Sequence, residues 1–330
     1  MKEHLDLEEV LKYDPYRTYL GYGYLDDSIT CSNTHFFLEE PKGITTNLSF
    51  KRSFLAESEQ GFHLSAMNVQ VVVPFLCQQL VKAQLTRQNA TLEDFLIISS
   101  EQHYKQFIDQ QEGLRCRIEQ IYQRRHEYQF EYGFYAVGED ELSASQSAVS
   151  TLPSIQPAFS GTMTFAVKVD NLASASYLLP TLQIQSEEKY KLKEVYFSEE
   201  YLSIEGLLVP KTKRLAPVQV HGAIGLLMKG LFCRLLRIDR QKTMDARAYT
   251  IIQQYDRRPP QEKRLPISLQ LDREMHLSTK KGEEWGFFTA HYELGETMQG
   301  MLRIAQPMND VGEREKMLLR KYFEVRTKEG

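Results

Sequence analysis

Two apolar runs constrain this chain more than any other feature: residues 64–85 (LSAMNVQVVVPFLCQQLVKAQL) and 216–238 (APVQVHGAIGLLMKGLFCRLLRI). Each is too long for a buried strand and too continuously apolar for a surface helix, so each predicts a helix enclosed on nearly every side. Such a helix needs a partner that wraps around it. Pro74 stands inside the first run and predicts a kink or a late helix start, because proline removes a backbone hydrogen bond. Gly222, Gly225 and Gly230 interrupt the second, each costing roughly 1 kcal/mol in a helix interior, which predicts close approach of another backbone there.

The sequence around both runs reads as strands. Residues 29–39 and 44–55 are rich in Thr, Ile and Phe and flank Pro41 and Gly43, a hairpin pattern. After the first run, 95–100, 114–126, 127–137 and 159–169 are strand-like, with a Ser-, Pro- and acid-rich loop over 138–158. The order then recurs. Residues 192–209 read as paired strands, the second helix follows, and four more strands run from ARAYTIIQQY to ETMQGMLRIAQ. GTMTFAVK (161–168) and QGMLRIAQ (299–306) are a short trace of the repetition, a glycine near the start of each closing strand. Strands, one buried helix, strands, twice over, predict an α+β fold of the tandem (double) hot-dog type, each half a curved antiparallel sheet around one helix. The expected divisions are an N-terminal segment 1–28, halves 29–172 and 173–307, and a helical tail 308–330, an exposed amphipathic end or a contact with a second copy in a homodimer.

Charge and cysteine usage narrow the partners. The 40 basic and 44 acidic residues nearly cancel without long blocks of one sign, which argues against nucleic acid. Cys31, Cys77, Cys116 and Cys233 are scattered without CxxC spacing, as expected of free thiols in a reducing compartment. The N-terminus lacks the pattern of a signal peptide and no apolar run reaches membrane-spanning length, so the expected location is cytoplasmic. His103, His126, His276 and His291 show no paired-ligand spacing, so no metal is expected, and GYGYLDD lacks the full dinucleotide fingerprint.

The candidate site residues gather where the two helices begin. A helix N-terminus offers free N–H groups and partial positive charge to a developing oxyanion, and a histidine beside it can move protons near neutral pH. His63 and Asn68 stand there in the first half, His221 and Gln219 in the second. His63, Asn68 and His221 are the candidate catalytic residues; Ser65, Gln219 and Gly222 are the candidate substrate contacts. Each has a plain structural reading beside the chemical one: capping or packing for the histidines, a backbone hydrogen bond for Asn68, an N-cap for Ser65. Tyr16, Tyr19, Tyr22 and Tyr24 read as packing of a lid or domain edge. Arg124, Arg125, Lys211, Lys213 and Arg214 could receive a phosphate or the phosphopantetheine of a carrier protein, but solvated strand ends are the plainer and preferred reading.

The YLGYGYLDD and FHLSAMNVQ segments, with the chain length and element layout, resemble the avirulence D family, bacterial proteins implicated in making syringolides, related to the A-factor type gamma-butyrolactone synthases. The resemblance implies transfer of a beta-ketoacyl group from an acyl carrier protein or acyl-CoA to a sugar-like polyol or ketose. It implies no cofactor beyond the phosphopantetheine that the thioester substrate carries. In that reaction the helix start would hold the thioester carbonyl, His63 would take the proton of the attacking hydroxyl, and Asn68 would position the acyl group. Two other readings remain open. A hot-dog dehydratase or thioesterase would act on the same thioesters, with Glu57 and Glu59 as nearby acids; a binding protein would hold an acyl ligand without turnover.

Overall fold

The computed structural model describes residues 2–12, 14, 16, 28–51, 66–88, 90–105, 113–137, 156–170, 182–183, 189–211, 215–238, 247–255, 264–278 and 283–329. The chain divides into two compact units, Tyr24–Ser186 (the first half) and Glu187–Gly330 joined by Met1–Gly23 (the second half). The N-terminal segment thus belongs with the second half. The predicted loop over 138–158 lies mostly outside the described residues.

In the first half, β2 (Ser28–Phe37) and β3 (Gly43–Lys51) form the predicted hairpin, whose turn contains a cis Glu40–Pro41 peptide. The helix α2 (Ala66–Arg87) follows, then β4 (Thr91–Tyr104), β5 (Gly113–Arg124), β6 (Glu127–Val137), β7 (Phe159–Asp170) and the short β8 (Leu182–Gln183). All pairings are antiparallel, in the order β8-β2-β3-β5-β6-β7-β4. Arg125 sits exposed at the β5–β6 turn with φ 51°.

Period-two alternation fixes which face of each strand meets the helix. Along β6, Tyr128, Phe130, Tyr132 and Phe134 are buried, and with Phe159, Met163 and Phe165 of β7 they join one core with Val69, Val73, Leu76 and Leu80 of α2. Truncating a buried leucine such as Leu76 to alanine costs about 2–5 kcal/mol in a core of this kind. α2 continues through Pro74 as one helical element, losing only the bond that an N–H at position 74 would give the Gln70 carbonyl.

The second half repeats the plan. β9 (Tyr190–Ser198) and β10 (Ser203–Pro210) pair, the helix α3 (Pro217–Leu236) follows, and β11 (Arg247–Tyr255), β12 (Leu265–Ser278), β13 (Glu284–Leu294) and β14 (Met298–Pro307) complete the sheet. With β1 (Glu3–His4) at its edge, the order is β1-β9-β10-β12-β13-β14-β11. Strand for strand, this is the order of the first half, with β1 at the edge where the first half has β8. Each half is an antiparallel sheet laid against one long buried helix.

Two further helices among the described residues belong to the second half. In α1 (Leu7–Leu11), Asp6 accepts hydrogen bonds from the N–H groups of Glu8 (2.9 Å) and Glu9 (3.4 Å), and Leu7 and Leu11 are buried. At Gly230 the close approach is made by side chains, those of Leu7 and Ile204, where the sequence suggested a backbone. A glycine there gives α1 a flat seat on α3. The predicted C-terminal helix is α4 (Glu313–Glu329); its Lys316 bonds Glu284 of β13 (2.5 Å) and Glu313 (2.9 Å). No helix among the described residues is long and apolar enough to cross a membrane.

Candidate functional site

α3 begins with Ala216 as N-cap and Pro217 at its first position, where the missing N–H is no loss. The N–H groups of Gln219 (3.0 Å) and Val220 (3.4 Å) both point to the Ala216 carbonyl. Gln219 accepts from the Ala216 N–H through Oε1 (2.8 Å) and donates through Nε2 to the Lys189 carbonyl (3.0 Å). At this helix start the Gln219 and Val220 amides thus turn back to the Ala216 carbonyl, and the Gln219 side chain fastens the helix to the entry of β9.

His221, one turn further in, has different company. It is 8% exposed, and burial alone pulls its pKa from the ordinary 6.5 to about 4, so the ring is neutral at pH 7. Its Nδ1 faces Nε2 of Gln253, in β11, at 3.5 Å. Gln253 is fully buried, and its Oε1 accepts from the Tyr255 hydroxyl at 3.0 Å. Tyr292, in β13, also bonds the Gln253 side chain and donates its own hydroxyl to the Ile252 carbonyl at 3.1 Å. Burial raises both tyrosines above their ordinary range, so both hydroxyls keep their protons. An imidazole, an amide and two phenols thus form a neutral polar cluster inside an apolar half. Gly222 is buried next to His221 in α3.

The first half holds a counterpart in the same register. Gln70 and His221, Gln102 and Gln253, and Tyr104 and Tyr255 are each 151 residues apart, as are Asn68 and Gln219. Gln70 and Gln102 both donate through Nε2 to Ser100 Oγ at 3.3 Å, and the Tyr132 hydroxyl reaches the Glu101 carbonyl at 3.4 Å, as Tyr292 reaches Ile252. Gly161 and Gly300 lie under these two tyrosines, and a Cβ at either would strike the phenol and the neighbouring carbonyl. The two glycines of the short repeat trace therefore occupy equivalent places. What differs is the reactive group: glutamine stands in the first half where histidine stands in the second.

Of the sequence candidates, His63 and Ser65 lie outside the described residues, as do Glu57, Glu59, Lys213, Arg214, Tyr19, Tyr22 and Tyr24. Asn68 is fully buried at the third position of α2. Tyr16 is a packing residue: its hydroxyl bonds both the Leu192 carbonyl (3.1 Å) and its N–H (2.7 Å), and its ring meets Tyr190 edge-on. Sequence reading missed Gln253, Tyr255 and Tyr292. The available signal was the QHY and QQY triplets, 102–104 and 253–255, at the spacing that also superposes the two helices.

No protein-family model and no curated protein matches the sequence. Among solved structures, the chain is similar to a putative oleoyl thioesterase from Lactobacillus plantarum at 6% identity, with a TM-score of 0.44 and coverage of 83% of this chain and 98% of that one. It is also similar to an acyl-ACP thioesterase from Bacteroides thetaiotaomicron, at 9% identity, TM-score 0.40, covering 73% and 90%. A protein of unknown function with a hot dog fold from Alicyclobacillus acidocaldarius gives 9% identity, TM-score 0.39 and coverage of 89% and 100%. At such identities and scores, the chemistry of this site has to be read from its own geometry.

Proposed function

We propose that this chain is an enzyme of acyl thioesters, delivered on acyl carrier protein or coenzyme A, that its halves work as a tandem hot-dog pair, and that the second half carries the working site. The observation that carries the reading is His221: buried and neutral one turn into an apolar helix, with a Gln–Tyr–Tyr set holding one ring nitrogen. An apolar interior suits an acyl chain, and one polar cluster within it suits the carbonyl at the end of that chain. Hydrolysis is the simplest reaction there. Water needs no dedicated seat, whereas Gln253, Tyr255 and Tyr292 already bond one another and the Ile252 carbonyl rather than offering the array of partners a polyol would use.

Transfer to a sugar-like acceptor is the second reading. It is favoured by the YLGYGYLDD and FHLSAMNVQ segments that resemble the avirulence D family, and would place the chain in syringolide-like or butyrolactone-like synthesis. One experiment separates the readings. The purified chain is incubated with medium-chain acyl and beta-ketoacyl thioesters of coenzyme A and carrier protein, with and without ketose and glycerone-type acceptors, and thiol release and products are followed by a thiol reagent and mass spectrometry. Hydrolysis gives free acid and thiol without an acceptor, and His221→Gln, which copies Gln70, lowers turnover by about 10²-fold or more. Acceptor-dependent formation of an acyl-polyol supports transfer. A thioester that binds and stays intact rejects both in favour of a binding protein.

A further inference from the structure

The hydrogen bonds around Gln253 have a fixed direction, and that direction reaches the imidazole. The Ile252 carbonyl can only accept, so the Tyr292 hydroxyl bonded to it at 3.1 Å gives up its one proton there. Tyr292 can then meet Gln253 only as an acceptor, which turns the amide N–H₂ toward it. The Gln253 carbonyl is left to the Tyr255 hydroxyl, which donates to it at 3.0 Å. With the amide held at both ends, Nε2 also faces His221 Nδ1 at 3.5 Å, and a ring nitrogen that receives an N–H cannot carry one itself. In a neutral imidazole the proton must then sit on the other nitrogen.

We infer that Gln253, set by Tyr292 and Tyr255, is a positioning residue that locks His221 in the Nε2–H form, so that His221 presents a hydrogen-bond donor to the substrate carbonyl rather than a base to the attacking nucleophile. The role assigned to His221 rests on the thioester reading above; the tautomer does not. Nε2 has no hydrogen-bond partner among the described residues, and the ring stays neutral down to low pH, as a donor inside an apolar half must if it is to avoid burying a charge. The Gln219 and Val220 amides at the start of α3 turn to the Ala216 carbonyl, so this ring N–H is a donor placed deeper in the half than they are. Donation to the developing oxyanion strengthens in the transition state, and its loss falls on kcat more than on KM.

In the first half the same fixed starting point exists, Tyr132 on the Glu101 carbonyl at 3.4 Å, but Gln102 and Gln70 both donate to Ser100, and glutamine stands at the place of His221. The locked donor belongs to the second half alone among the described residues.

The test reads the proton directly. Full-length chain labelled with ¹⁵N-histidine is examined by long-range ¹H–¹⁵N correlation between pH 5 and 8, with His221→Gln assigning the ring. The expected result is a neutral Nε2–H ring throughout. An Nδ1–H ring, or an imidazolium at pH 7, overturns the inference. Gln253→Glu, with its carboxyl ionised, supplies only acceptors, so Nδ1 must take the proton: the tautomer inverts or the ring becomes charged, and kcat falls about 10²-fold with KM changed less than about threefold. Tyr292→Phe, a milder change, releases the amide and gives a mixture of the two ring forms. Survival of a pure Nε2–H ring in both variants would overturn the role of Gln253. A protein that shows the predicted tautomers yet leaves every thioester intact would sink the proposed function and leave the positioning result standing.

Discussion

Gly300→Ala would place a methyl group against the Tyr292 phenol and the Ile252 carbonyl, the two partners whose contact gives the second-half cluster its direction. Overpacking of this kind costs about 1–3 kcal/mol, read as a lowered urea midpoint at pH 7. A change of only a few tenths of a kcal/mol would mean that the phenol moves aside freely. Gly161→Ala makes the same collision with Tyr132 in the first half, and should destabilise by a similar amount while leaving the His221 ring form untouched. At this scale the sequence was partly legible. His221 stands out as a histidine in an apolar helix, whereas Gln253, Tyr255 and Tyr292 look like ordinary strand residues, because nothing local distinguishes a strand tyrosine that bonds a carbonyl two strands away from one that meets water. Gln219 shows the opposite failure: its proximity to His221 suggested a shared site, but its amide reaches backbone groups of Ala216 and Lys189 first.

The long elements follow from their own residues, and the short ones from what they rest on. α2 and α3 are read from unbroken apolar sequence, and β6 from strict alternation. β4 extends to Thr91–Tyr104, well beyond the apolar FLIISS, because β7 pairs along its polar ends too. α1 carries no periodic signal in five residues and exists because Asp6 caps it and Gly230 admits Leu7. Removing residues 2–12 would expose apolar surface of α3 that Leu5, Leu7 and Leu11 cover, each worth about 1.5–3 kcal/mol when fully buried, and would delete the Glu3–Arg234 pair at 2.7 Å. Hydrogen exchange should show amides of α3 and β9 losing protection while those of β5 and β6 keep theirs. Equal loss in both sets would mean that α1 supports more than the half it belongs to.

Across the whole molecule, the buried imidazole ties global stability to pH. Native His221 holds its proton only below about pH 4, while the unfolded chain takes one up near the ordinary 6.5. Between these values the unfolded state binds more protons, so the stability gained from a neutral ring is complete above pH 6.5 and declines as pH falls toward 4, by about 3 kcal/mol over the window. The urea midpoint of the wild type should therefore drop more between pH 7 and 4.5 than that of His221→Gln; parallel curves would place the ring in water. The sequence by itself determined two buried helices, the strands around them and their repetition, because periodicity and apolar content are local properties that any fold of this chain must satisfy. Only the tertiary structure decided where a reactive cluster forms and which half bears it. His221, Gln253, Tyr255 and Tyr292 come from three separate elements, and a hydrogen bond has a direction only once the carbonyl that anchors it has been brought within reach.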